Sequence, residues 1–398
     1  MFNIAILGFG TVGSGVYEVI KENNALLKEK TGEDIAVKRI LDLREFPGTE
    51  WESLLVYDIK EIIEDKDIDV VVETMGGTSP AFEFVRDALL SGKALVAAHG
   101  TELLKIAREK NVNFFFEASV GGGIPIIRTL TESYAGEHFK EITGILNGTT
   151  NYILTKMDAE GESFEKALAT AQDLGYAERN PEADVEGHDT CRKIAILSSL
   201  ATGKEVNFEN IHTEGITKID TTDFEYAKHL NTSIKLCGDA KFENDKLYAF
   251  VAPVMVENSH PLFMVNDVFN GIMVEGNMLG KSMLYGSGAG KLPTASAVVA
   301  DIVAIAKNKH VNVAFGWGEN KQEVVDMQET SHRYFVRFMG RDSEFIEKCK
   351  SEFKDAKEVY LEGKDEFALI TGVLKEKDFL GTLNNLSGVI KYIRTKIV

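Results

Sequence analysis

Short apolar runs alternate with amphipathic stretches through the first third of the chain. FNIAIL has strand character, and GFGTVGSGVYEVIKENNALLKEK after it carries apolar residues at helical spacing. IAVKRILDL, IDVVVETMGG and KALVAA read as further strands, with SPAFEFVRDALLSG as a helix between the last two. Repeated strand-helix alternation predicts an α/β fold, a Rossmann-type doubly wound parallel sheet with ligands at the strand carboxyl ends. From Arg333 the pattern changes. YFVRF, DSEFIEKCKSEF, KEVYLE, EFALITGV, EKDFLGTLNNL and VIKYIRTKI follow in the order β-α-β-β-α-β, which is ferredoxin-like.

The junction of the first strand and helix carries G-x-G-x-x-G at Gly8, Gly10 and Gly13, enclosing Thr11 and Val12. A tight turn, close backbone approach and a helix N-terminus together favour a pyrophosphate. The next strand ends at Asp42, an acceptor for a ribose 2′-hydroxyl and so a lean toward NAD, whereas Arg44 could meet the 2′-phosphate of NADP. Gly76 and Gly77 close a further buried-type strand at the same edge of the sheet.

Further along, Gly121 to Gly123 follow Glu117; their carbonyls could coordinate a hard cation, or the run could be a flexible domain junction. GILNGTTNYILTKM places Asn147, Gly148, Thr149, Thr150 and Asn151 at a helix start, able either to hold a carboxylate or amino acid or simply to cap the helix. GYAERNPEADVEGHDTCRK brings five acids ahead of Lys193. A helix beginning near Gly187 sets Asp189 and Lys193 at i and i+4 on one face. CRKIAILSSLATG is too apolar for a free surface helix, so Lys193 is expected at the rim of a core, paired with acid. Hydride transfer to a carbonyl without a metal needs such a proton donor, worth about 10²–10⁴-fold in rate. The remaining acids then suit a cationic substrate group such as an α-ammonium.

Composition narrows the function classes. The chain has 398 residues and a formal charge of −18, which opposes binding to a nucleic-acid backbone. Cys191, Cys237 and Cys349 are scattered and fit neither a disulfide framework nor a zinc site. No run approaches the roughly 20 apolar residues of a membrane span, and MFNIAILGFG reads as a strand, not a signal peptide. A cytoplasmic protein with no membrane or nucleic-acid partner is expected.

GFGTVGSG, DVVVETMGGTSPA, FEASVGGGIPIIRTL, GILNGTTNYILTKM, GYAERNPEADVEGHDTCRKIAIL and YGSGAGKLPTASAVVADI resemble, in order, the successive motifs of the homoserine dehydrogenase family over about residues 1–318. The resemblance implies an NAD(P)-dependent oxidoreductase interconverting L-aspartate 4-semialdehyde and L-homoserine, with NAD or NADP as cofactor. By the same resemblance Lys193 is the catalytic lysine, Asp189 its acidic companion, and Glu178 and Asp184 contact substrate, with Gly148 and Thr149 beside them. Glu117, Val120, Gly122 and Ile124 match a sodium-binding loop that uses mainly backbone carbonyls. Gly286, Gly288 and Gly290 lie in the turn that closes near the nicotinamide. A homodimer or higher oligomer, built through the sheet of an α+β substrate domain, is implied as well.

The expected organisation is a dinucleotide domain over 1–128 completed by 296–318, a substrate and dimerisation domain over 129–295, a linker at 319–331, and a module resembling the ACT regulatory domain over 332–398. Three departures from the family pattern stand out. KALVAA runs straight into His99 and Gly100, where relatives carry an Asn-Lys pair and several more residues, so a second site lysine has no counterpart; Lys93 and Lys105 are poor replacements. Leu41 stands where many relatives have arginine, which weakens an expectation of strong NADP preference. MGRDS lacks the Pro-Gly step of ligand-binding ACT domains, leaving an effector site open against a dimerising or vestigial module. The alternative function is a nucleotide- and amino-acid-binding regulatory protein impaired by the missing lysine. A thioester semialdehyde dehydrogenase is disfavoured, because Cys191 has no histidine partner.

Overall fold

The structure, a computed structural model, describes every residue except Thr78, Ala98, His99, His310, Ala314, Lys354, Ile397 and Val398. The chain forms two compact units, one of residues 1–136, 199–205 and 286–321, the other of 137–198, 206–285 and 322–398.

The first unit holds six parallel strands, β1 Phe2–Leu7, β2 Ile35–Leu41, β3 Leu55–Val56, β4 Val70–Glu73, β5 Ala94–Val96 and β6 Phe114–Phe115, in the order 3-2-1-4-5-6. This is the doubly wound order expected from the alternation, with its topological switch between β1 and β4. Ile4, Ile6, Val70 and Val72 are fully buried, because helices cover both faces. The Lys291–Lys307 helix returns to this unit and packs on the Thr11–Glu22 helix. Gly15 permits that approach: a β-carbon there would stand 2.9 Å from the Lys291 carbonyl oxygen and 3.0 Å from Ala295 Cβ.

The second unit is built on one large mixed sheet. It comprises β7 Phe139–Ile145, β8 His212–Thr213, β9 Thr232–Glu243, β10 Lys246–Glu257, β11 Phe269–Gly276, β12 Gly280–Ser287, β13 Ser331–Met339, β14 Lys357–Val359, β15 Glu366–Ile370, β16 Leu374–Lys375 and β17 Val389–Lys396. The main path runs 12-11-7-9-10-17-13-15-14, with β8 on β10 and β16 on β13. β13, β14, β15 and β17 keep the ferredoxin-like order, their core formed by Tyr334, Phe338, Phe367 and Phe379.

Residues 332–398 do not stand apart as a compact unit. β17 pairs in parallel with β10, Val254 opposite Arg394, so backbone hydrogen bonds weld the module to the substrate sheet. Buried Arg337 adds ion pairs to Asp223 at 2.6 Å and to Asp220 at 2.9 Å. The expected linker is also partly structured: Gln322 is buried, and Met327 is buried in the second unit's core. Among the described residues, no helix is long and apolar enough to cross a membrane.

Candidate active site

The glycine turn in the first unit explains itself position by position. Gly8 has φ +87°, and a β-carbon on it would meet Met75 Cα at 2.7 Å. Gly13 lies against the Gly8 carbonyl oxygen, which would be 2.1 Å from an added β-carbon. Gly10, by contrast, faces open space with nothing within 4 Å, and the Thr11–Glu22 helix that it opens has no side-chain cap. Uncapped N–H groups beside an open glycine form a fitting cradle for the cofactor's pyrophosphate. Thr11 is exposed and Val12 half-buried on that first turn. At the neighbouring strand end, Gly76 adopts φ +77° while Glu73 accepts from the Met75 N–H at 2.6 Å.

Asp42 and Arg44, read as competing signals for NAD and NADP, form a pair. Arg44 donates from Nε and Nη2 to Asp42 at 2.9 and 2.8 Å, and the Phe9 N–H donates to Asp42 at 2.7 Å. The Arg44 guanidinium, with help from these backbone donors, holds the Asp42 carboxyl well below the usual carboxylate range. Arg44 itself is largely exposed. Leu41, where an arginine was the family expectation, is buried.

The triple glycine is fixed by close approach within its own unit. A β-carbon on Gly122 would sit 2.5 Å from the Gly288 carbonyl oxygen, and one on Gly123 2.9 Å from Pro293 Cβ. Gly123 N–H also donates to Ser287 O at 3.1 Å, so the run is a packed loop and not a flexible junction. The Glu117 carboxylate accepts from Ile127 N and Arg128 N at 2.8 and 2.9 Å, and burial raises its pKa. Its side chain is therefore occupied by a helix start. Val120 is buried and the Ile124 carbonyl accepts from Ile126 N–H at 2.8 Å.

In the second unit the charged stretch folds into one cluster. The helix starts at His188, as the spacing predicts, and Lys193 Nζ lies 2.7 Å from Asp189 and donates to the Leu146 carbonyl at 2.9 Å. Its side chain is 19% exposed, at the rim of a packed face. Asn147 ties the acids together: its amide donates to Asp184 at 2.7 Å and to Asp189 at 2.8 Å, while its oxygen accepts from Thr150 N–H and caps the Gly148–Glu160 helix. Burial, reinforced by the negative charge of Asp189 and Glu178, raises the pKa of Asp184 against the pull of Asn147 and Lys193. Gly148 is required because a β-carbon there would meet Val268 O at 2.7 Å. Thr149 Oγ1 donates to Tyr176 O at 2.6 Å, and Glu178 is exposed on the following loop.

Sequence reading placed Asn147 only in a turn able to hold an amino acid or cap the helix, without its bonds to the acids, and did not name the Leu146 carbonyl. The signal for Asn147 was its place in the Asn-Gly turn; no pattern could show its reach to acids 37 and 42 residues away. Lys93 and Lys105 are occupied elsewhere: Lys93 Nζ donates to Asp65 O and Ile68 O, and Lys105 pairs with Glu319. The shortened stretch at Ala98 and His99 lies outside the described residues.

The 3-2-1-4-5-6 sheet with an open glycine turn at its switch point defines the class, a dinucleotide-binding protein with a Rossmann-type domain. Residues 8–117 match the family model for the homoserine dehydrogenase NAD binding domain, and residues 125–303 the model for homoserine dehydrogenase. The chain is 37% identical to the homoserine dehydrogenase of Bacillus subtilis over 409 aligned positions, spanning 96% of this chain and 94% of that one. The crystal structure of a homoserine dehydrogenase from Thiobacillus denitrificans matches with a TM-score of 0.90 at 31% identity, covering 99% and 98% of the two chains. A hyperthermophilic archaeal homoserine dehydrogenase in complex with NADPH matches with a TM-score of 0.64 at 28% identity, covering 76% and 96%. The chain belongs to the homoserine dehydrogenase family.

Proposed function

We propose that Lys193 is the acid/base of this enzyme in interconverting L-aspartate 4-semialdehyde and L-homoserine, a step of amino-acid biosynthesis. The observation that carries the reading is the hold on Lys193 Nζ from both Asp189 and the Leu146 carbonyl. The bound nicotinamide supplies hydride to the aldehyde carbon, or accepts it in the reverse direction. In reduction, Lys193 gives a proton to the oxygen as the C–O bond gains negative charge, and regains one from water. Asp189 holds and aims the ammonium. Asp184 and Glu178 take the substrate's α-ammonium, and the N–H groups at Gly148 and Thr149 take its carboxylate.

Gly8, Gly10, Thr11, Val12 and Gly13 hold the pyrophosphate, with Gly76 and Gly288 near the rest of the dinucleotide. The Asp42–Arg44 pair accommodates either cofactor: opening it frees Asp42 for a ribose hydroxyl, and Arg44 can turn to a 2′-phosphate. A sodium ion on the carbonyls of Glu117, Val120, Gly122 and Ile124 would brace the loop; the hydrogen bonds already made by the Glu117 side chain leave carbonyls as its ligands. Exposed Met278, Leu279 and Tyr285 on the β11–β12 hairpin support a homodimer. Three buried free thiols agree with a cytoplasmic setting. The ferredoxin-like strand order supports an ACT-like regulatory module.

The test is homoserine oxidation followed by nicotinamide absorbance, with NAD and NADP in turn, for the protein and its Lys193→Ala variant. We expect kcat to fall about 10²–10⁴-fold while cofactor affinity is kept. Unchanged turnover would reject Lys193 as the proton donor, and cofactor binding without turnover in the unaltered protein would favour the impaired regulatory reading.

A further inference from the structure

The segment from His212 to Thr217 lies against the corner between two short stretches that carry the acids. A β-carbon on Gly215 would stand 2.3 Å from the Val185 carbonyl oxygen and 2.5 Å from Glu186 Cα, and one on Gly187 would meet Thr213 Cγ2 at 3.1 Å and Glu214 O at 3.3 Å. Ile216 N–H donates to Val185 O at 2.8 Å, and Thr217 Oγ1 to Glu186 at 3.0 Å. Val185 ends the Glu182–Val185 turn that bears Asp184; Gly187 immediately precedes the helix that bears Asp189 and Lys193. The segment therefore braces the corner that carries Asp184, just before the helix that bears Asp189 and Lys193.

Glu214 fixes that brace. Its N–H donates to Val251 O at 2.7 Å, and its carboxylate lies 2.9 Å from Arg394 Nη1 and 2.6 Å from His212 Nε2. Arg394 belongs to β17 of the C-terminal module and is 2% exposed, with its other nitrogens on Glu376. Glu376 in turn accepts from the Tyr334 hydroxyl at 2.6 Å, inside the module's core. A buried guanidinium shared between Glu376 and Glu214 is a stiff link, because releasing either partner leaves a desolvated charge.

We propose that Glu214, held by Arg394, is a positioning residue that sets Asp184 for the substrate ammonium, so that the C-terminal module bears on homoserine affinity through this pair as well as through the strands it shares. The inference rests on the assignment of Asp184 to substrate made above. It goes beyond that assignment by naming the residue that orients the acid.

The test is steady-state homoserine oxidation by Glu214→Ala, Glu214→Gln and Gly215→Ala, with Asp184→Asn in parallel. The homoserine KM should rise about tenfold in Glu214→Ala and about threefold in Glu214→Gln, whose amide still accepts from Arg394. Gly215→Ala, which must push the Val185 carbonyl away, should raise KM similarly. In all three, kcat and cofactor affinity should stay within about twofold, and Glu214→Gln should add little in the Asp184→Asn background. Glu214→Gln is nearly isosteric and decides the matter if the alanine variant is unstable. A homoserine KM like that of the unaltered protein in both Glu214→Gln and Gly215→Ala overturns the proposal, as does an equal loss of cofactor affinity. If Asp184→Asn raises KM while the Glu214 series does not, only the positioning role fails; an unaffected Asp184→Asn removes the substrate assignment itself.

Discussion

Replacing Asn147 with aspartate tests the acid cluster through the one neutral group that holds it together. The substitution keeps an oxygen to cap the helix through Thr150 N–H but puts a second oxygen where the amide donated to Asp184 and Asp189, at 2.7 and 2.8 Å. Each lost bond to a charged carboxylate is worth about 1.5–3 kcal/mol. Two unit charges about 2.8 Å apart at an effective permittivity of 20 repel by about 6 kcal/mol. That exceeds the roughly 4 kcal/mol needed at neutral pH to protonate a carboxyl of ordinary pKa. The cluster therefore takes up a proton in preference to a third charge. That proton goes to Asp184, whose pKa burial already raises, so the charge moves from Asp184 to position 147 and the substrate ammonium loses at least about 2 kcal/mol of attraction, close to thirtyfold in homoserine KM. The assay is the homoserine and pH dependence of oxidation at saturating cofactor, with the acid limb of kcat/KM moving to higher pH in the variant. A KM within about twofold of the original at pH 7 would refute the reasoning, because it would mean that the Asp184 charge does not bear on the substrate.

Three further outcomes follow from other parts of the molecule. Arg44→Ala should weaken NADP binding by about tenfold or more, the scale of a charge-assisted phosphate contact, while NAD binding holds or improves as Asp42 is released; equal losses for both cofactors would count against the pair as a selector. Because the Asp184 carboxyl sits above its usual range, homoserine KM should climb as pH falls from neutrality before an ordinary carboxylate would titrate, and Asp184→Asn should flatten that limb. Burial, with Arg394 adding to it, pulls His332 down to about 4. A histidine that accepts its proton more readily when unfolded gives stability that is complete above about pH 6.5 and is lost as pH falls toward 4. The loss should be about 3 kcal/mol, read as a thermal midpoint that falls with acid less steeply in His332→Gln than in the unaltered protein.

The sequence by itself determined what depends on near neighbours along the chain. Alternating buried strands and amphipathic helices determined the doubly wound sheet, since a parallel strand buried on both faces must be continuously apolar. Gly8, Gly10 and Gly13 were legible because the fingerprint lies within one strand-turn-helix. Asp189 and Lys193 were legible because one helical turn joins them. Tertiary structure alone decided the rest. Asn147 reaches Asp184 and Asp189 only because β7 and the acid-bearing helix meet in the folded unit. Arg44, an apparent rival of Asp42, is its partner because the chain bends back after β2. Gly122 and Gly123 owe their composition to Gly288 and Pro293, far along the chain. The C-terminal strands are welded to the substrate sheet through β10 and β17, a pairing whose residues lie 140 positions apart, as Val254 and Arg394 do. Periodicity reports which face of an element is buried, but not against what; long-range contacts are chosen by the packing of whole surfaces, which no local pattern records.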